Sequence, residues 1–89
     1  MGYILCVYKV YPEEPESIEQ IKEFVKTNIK EPFKLNNIDE EPIAFGLVLL
    51  KIGIVFPDKI DGLMDQLEEF LKSAPGVKEI ENELSTLIS

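Results

Sequence analysis

The chain has 89 residues, 45% of them apolar or aromatic and 29% charged, the balance of one folded globular domain with too little length to divide. Seventeen acidic residues face nine basic ones, all Lys, for a net charge of −8. That charge opposes a phosphate backbone and favours a basic protein surface over nucleic acid as partner. With no His and no Arg, the chain offers no imidazole base, no His zinc ligand and no guanidinium fork for phosphate or carboxylate.

Residues 3 to 11 are β-branched and aromatic and run into Pro12 and Pro15, which read as the end of ladder pairing. This is the first expected strand. Ile4, Cys6, Tyr8 and Val10 form its uncharged face, assigned to the core, and Tyr3, Leu5, Val7 and Lys9 form the other. From Ser17 the period becomes helical through Ile18, Ile21, Val25 and Ile29, with Phe24 beside them, and Ser17 with Gln20 has the form of a capping box. The spacing predicts a helix over 17–30, closed before Pro32.

Residues 33–41 alternate weakly and predict an edge strand. The third strand is the clearest, because Gly46, Val48, Leu50, Ile52, Ile54 and Phe56 make one face wholly apolar, while Lys51 and Gly53 interrupt the other. Pro57-Asp58 then opens a second helix, with Asp58 as cap and Ile60, Leu63, Met64, Leu67 and Leu71 at helical spacing. That helix closes near Ser73, Ala74-Pro75-Gly76 turns the chain, and the last strand runs from Val77 to about Leu87, its acidic residues leaving the length open. Strand, helix, strand, strand, helix, strand is two similar units in tandem. It predicts an α+β, ferredoxin-like βαββαβ sandwich over residues 1–89, with two helices on one face of an antiparallel sheet. The uncovered face would carry Leu5, Val7, Lys9, Leu47, Leu49, Lys51 and Val55, apolar enough for a partner or dimer surface as well as for plain strand propensity.

No constellation for covalent chemistry emerges. The Asp39-Glu40-Glu41 triplet and Glu68-Glu69, expected on the solvated side of the second helix, are abundant charge rather than converging groups. No glycine-rich phosphate loop occurs. Cys6 lies mid-strand among apolar neighbours and reads as a small buried hydrophobe. No catalytic residue, metal site or cofactor is therefore expected. A lone Cys, no apolar leader and no apolar run of roughly 18 residues point to the cytoplasm and away from a membrane. The connection Pro42-Ile43-Ala44-Phe45-Gly46 is unusual, because it is apolar where turn chemistry is normally polar. Phe45 either folds back onto the core, the economical reading for a small domain, or is offered to a partner.

The stretch Asp39-Glu40-Glu41-Pro42-Ile43-Ala44-Phe45-Gly46-Leu47-Val48 resembles the signature of the archaeal form of the translation elongation factor 1-beta family. The strand ending Tyr8-Lys9-Val10-Tyr11-Pro12, the apolar third strand to Val55 and the Gly76-Val77 pair extend the resemblance over nearly the whole chain. It implies a guanine-nucleotide exchange factor of the same fold, which acts on the GTPase elongation factor 1-alpha by binding and makes no covalent bond. The resemblance further implies that Phe45 enters an apolar pocket of the GTPase, within a contact formed by Pro42, Ile43, Ala44, Phe45 and Gly46. The two Lys of the open face, Lys9 and Lys51, would add cationic contacts. The chain departs from the family in two places. No basic residue follows Lys78, so the C-terminal cation that relatives direct toward Mg²⁺ and phosphate has no counterpart, and Asp58-Lys59-Ile60-Asp61-Gly62-Leu63 replaces an acidic Gly-Gly-Thr-Glu type stretch. A small ligand-binding or oligomerising regulatory domain of the same fold is the alternative, and the open face is compatible with a monomer or a weak dimer.

Overall fold

Alternation of side chains across an extended backbone explains the centre of the molecule. In the computed structural model, which describes residues 2–88, strand β1 (Tyr3–Pro12) fully buries Cys6, Tyr8 and Val10. Strand β3 (Val48–Pro57) buries Leu50, Ile52, Ile54 and Phe56 on the same side. These two strands pair antiparallel in the middle of the sheet, with Cys6 opposite Ile54 and Tyr8 opposite Ile52. Strand β2 (Lys34–Pro42) and strand β4 (Val77–Ile88) flank them, giving the order β2-β3-β1-β4 with every neighbour antiparallel. Helix α1 (Ser17–Asn28) contributes Ile18, Ile21 and Val25 to the core, and helix α2 (Leu63–Lys72) contributes Leu63, Leu67 and Leu71. The helices meet at Phe24 and Phe70, stacked with centroids 5.4 Å apart. This is the expected α+β, ferredoxin-like sandwich, with both helices on one sheet face and the other face open.

The differences from the sequence reading lie at element ends. Pro12 does not end the ladder: it pairs with Val77, and a register shift just before it accommodates the missing N–H. Ser17 is not a cap, because Glu16 already has helical dihedrals and no side chain caps the helix. Ser17 is instead buried, its Cβ so close to Gly76 that a methyl group there would collide at 2.8 Å. The helix also stops at Asn28, two residues short of Lys30. Asp58 caps nothing, since α2 begins at Leu63. Gly62 adopts φ 83°, which a right-handed helix cannot continue through, and Gln66 N–H donates to its carbonyl as the first helical bond. Ile60 consequently sits outside the helix, half exposed.

Three residues also differ from expectation in placement or exposure. Gly46 precedes β3 rather than joining its apolar face. Leu49, assigned to the open face, is 2% exposed, because β3 is a central strand and Glu41 on β2 stands opposite it. Glu68 is not free on the solvated side of α2: its Oε2 accepts a 2.9 Å hydrogen bond from the hydroxyl of buried Tyr8. Burial, with the Glu68 carboxylate beside it, pushes the Tyr8 hydroxyl well above the ordinary tyrosine range. Cys6 is fully buried with Sγ 3.3 Å from Ser85 Oγ, and burial raises its pKa, so the thiolate is disfavoured.

Candidate functional site

The β2–β3 hairpin closes through residues 43–47, and its local bonding fixes where Phe45 points. Ile43 N–H donates to the Leu47 carbonyl at 2.8 Å and Leu47 N–H to the Ala44 carbonyl at 3.1 Å. Inside that second bond, Phe45 (φ 59°, ψ 36°) and Gly46 (φ 75°) are both left-handed. Two left-handed residues in succession mark a type I′ turn, whose twist suits antiparallel strands. Gly46 occupies such a position at no steric cost, and no neighbour lies within 4 Å of its missing Cβ. Phe45 does not share that freedom. It is the one non-glycine residue with positive φ among the described residues, and an Asn or Asp would be easier there.

The ring is 99% exposed. The packing economy that favoured a core Phe45 is thus overturned: the rigid turn carries the ring away from the sheet, and the core closes without it. Ile43 and Leu47 on either side are also exposed, as are Pro42 and Ala44. The five residues Pro42, Ile43, Ala44, Phe45 and Gly46 therefore form one continuous apolar tip at one end of the sheet.

Lys9 and Lys51 are not part of that tip. They face each other across β1 and β3, three residues from Val48 and so about 10 Å down the strand. Like charges at opposed positions repel. Here Lys51 is held by Glu41 Oε1 at 3.2 Å and Glu83 Oε2 at 3.3 Å, and hydrogen bonds to Glu41 and then Glu83 raise its pKa. Lys9 forms no ion pair among the described residues. Glu81, its register partner on β4, instead accepts from the Tyr11 hydroxyl at 3.2 Å. The open face is thus ionic near the turn. Its far end is apolar, and there Tyr3, Val55, Pro57 and Ile88 border an open hollow of about 490 Å³ with Glu31 and Lys34.

A smaller cleft of about 130 Å³, which sequence reasoning missed, adjoins the turn. Tyr11, Pro12 and Pro15 meet Ile43, Leu47 and Val48 there, and Glu13, Glu14 and Lys78 complete the lining. Its walls come from three stretches of chain that only the antiparallel pairing brings together. The signal available was the run Tyr-Pro-Glu-Glu-Pro at residues 11–15. Among the described residues no group of three or more His, Cys, Asp or Glu could hold a metal ion, and no helix is long and apolar enough to cross a membrane.

Fold and turn together define a ferredoxin-like α+β domain with an apolar projection at one sheet end. Residues 5–86 match the family described as the EF-1 guanine nucleotide exchange domain. The chain is 38% identical to elongation factor 1-beta of Hyperthermus butylicus over 100% of this chain and 98% of that one. It is 42% identical to elongation factor 1-beta of Methanothermobacter thermautotrophicus, covering 91% of each. The chain belongs to the EF-1 guanine nucleotide exchange domain family, in its archaeal elongation factor 1-beta branch. Among solved structures, the ACT domain from GTP pyrophosphokinase of Chlorobium tepidum superposes with a TM-score of 0.60 over 93% of this chain and 100% of that chain. At 16% identity, that likeness concerns the fold alone.

Proposed function

We propose that this protein promotes replacement of GDP by GTP on the GTPase elongation factor 1-alpha, using Phe45 as a wedge. The observation that carries the reading is a large aromatic ring, 99% exposed, held in a left-handed conformation that its residue type disfavours. Folding gains nothing from such a residue, and strain of this kind gathers at functional positions. Because two hydrogen bonds hold the turn, little conformational freedom is lost when the ring enters an apolar pocket.

Exchange needs no acid, base or nucleophile, so the lack of His and Arg costs it nothing. The protein has only to bind a form of the GTPase that holds nucleotide and Mg²⁺ poorly. Linkage is reciprocal: returning nucleotide weakens the exchanger's own hold, and the GTP to GDP ratio in solution sets the outcome. With no basic residue after Lys78, the wedge carries the effect. Of Lys9 and Lys51, Lys9 is the one in no ion pair among the described residues and so able to assist it, since Lys51 is bound to two carboxylates. The acidic body would be steered toward a basic GTPase surface, and salt would weaken that steering.

The test is release of a fluorescent GDP analogue from elongation factor 1-alpha of the same source, with and without this protein. Wild type should accelerate release and Phe45→Ala should lose most of the acceleration. No acceleration at saturating wild-type protein would overturn the assignment.

A further inference from the structure

The cleft beside the turn is unused by the wedge, yet its walls are partly the wedge's own supports. Ile43 and Leu47 flank Phe45 and also line the cleft, so a partner that covers the ring covers the cleft as well. At about 130 Å³ it is small. Pockets for whole small molecules run to about 300 to 1,000 Å³, so a single side chain is the occupant that fits.

Its chemistry is two-part. The surface is apolar along Tyr11, Pro12, Ile43, Leu47 and Val48. Glu13 and Glu14 then add two carboxylates, both exposed and neither in an ion pair among the described residues. Lys78 is the one cation in the lining, and it leaves an excess negative charge. The wall that carries the carboxylates is fixed, because Glu13 N–H donates to the Gly76 carbonyl at 2.8 Å and prolines stand at 12 and 15. An apolar channel beside carboxylates complements a long cationic side chain, whose methylene stem lies along apolar surface while its head keeps polar company.

We propose that this cleft receives a Lys or Arg side chain of the GTPase engaged by the Phe45 turn, with the stem against Leu47 and Tyr11 and the head at Glu13 and Glu14. The proposal rests on the exchange reading of the turn and gives that interface a second, charge-selective contact. It is tested by measuring binding of elongation factor 1-alpha over a range of salt to wild type, E13Q/E14Q, D65N/E69Q and Phe45→Ala. Asp65 and Glu69 are exposed on α2, which contributes nothing to the cleft lining, so their double variant removes the same net charge from a site outside the cleft. E13Q/E14Q should bind about 3- to 10-fold more weakly at low salt and with a flatter salt dependence, as expected for two exposed pairs. D65N/E69Q should stay within about twofold of wild type. Equal weakening by the two double variants would mean diffuse charge rather than a cleft contact and would overturn the proposal. Unchanged binding by E13Q/E14Q, while Phe45→Ala weakens it, would overturn the cleft contact and leave the exchange reading standing. Absence of binding by wild type would overturn both.

Discussion

Phe45 and Phe56 bracket β3 and have opposite surroundings. Phe56 is 3% exposed and meets Phe33 edge-on, with centroids 5.6 Å apart, whereas Phe45 is 99% exposed on its turn. In a chain this short, nearly every large apolar residue is needed inside. That one aromatic is withheld from the core, and in a costly backbone conformation, shows that stability did not select it. The two rings therefore divide the hairpin into an end that holds the fold and an end that the fold leaves exposed.

The largest expected effect is at the buried end. Phe56→Ala should cost about 3 to 5 kcal/mol in urea unfolding, the range for truncating a core Phe. Nucleotide release measured per folded molecule should be unaffected. Phe45→Ala should do the reverse, leaving stability within about 1 kcal/mol of wild type. Its binding to the GTPase should fall by about 2 kcal/mol or more, roughly 30-fold, as for an aromatic at an interface centre. If Phe45→Ala unfolds readily and still exchanges normally, the division between the two ends is wrong.

A smaller effect should appear on the core side through Tyr8. Its hydroxyl bonds the Glu68 carboxylate, and Tyr8→Phe should cost about 1 kcal/mol near neutral pH, the usual scale for one such bond. The pH dependence follows from the raised pKa. Below pH 10, the ordinary tyrosine value, both folded and unfolded states hold the proton. Above it the unfolded state releases the proton first, so the folded state binds more and stability falls as pH rises. Urea unfolding between pH 8 and about 11 should show a steeper alkaline fall for wild type than for Tyr8→Phe. Parallel curves would mean that the hydroxyl is not held as described.

The sheet centre was legible because period-two alternation in β1 and β3 names the buried face directly, as Cys6, Tyr8, Ile52 and Ile54 show. Helix ends were not. Asp58 and Ser17 are residue types that cap helices, but Gly62 breaks the helical path after Asp58 and Gly76 packs against Ser17. Glu68 was misplaced because helical periodicity cannot show a tyrosine hydroxyl arriving from another strand. Composition left Phe45 between core and surface, since a Phe-Gly pair does not announce the turn that Asn-Gly would. Family resemblance drew attention to the segment, and only turn geometry showed the ring to be exposed. The cleft was beyond reach because its walls come from three stretches well separated in the chain, residues 11–15, residues 43–48 and Lys78.

The smallest effect is also the most discriminating, because it separates the ring from the backbone that presents it. A non-glycine residue in the left-handed region carries strain of about 1 to 2 kcal/mol. Glycine relieves it at an entropic cost of about 0.5 to 1 kcal/mol from the looser unfolded chain. Phe45→Gly should therefore stabilise the fold by up to about 1 kcal/mol while removing the wedge altogether. A thermal or urea midpoint above that of wild type, together with loss of GDP release, would show that the domain tolerates strain at this position for the sake of the ring. A lower midpoint would show that Phe45 contributes to folding after all, and the contrast with Phe56 would then be one of degree rather than of kind.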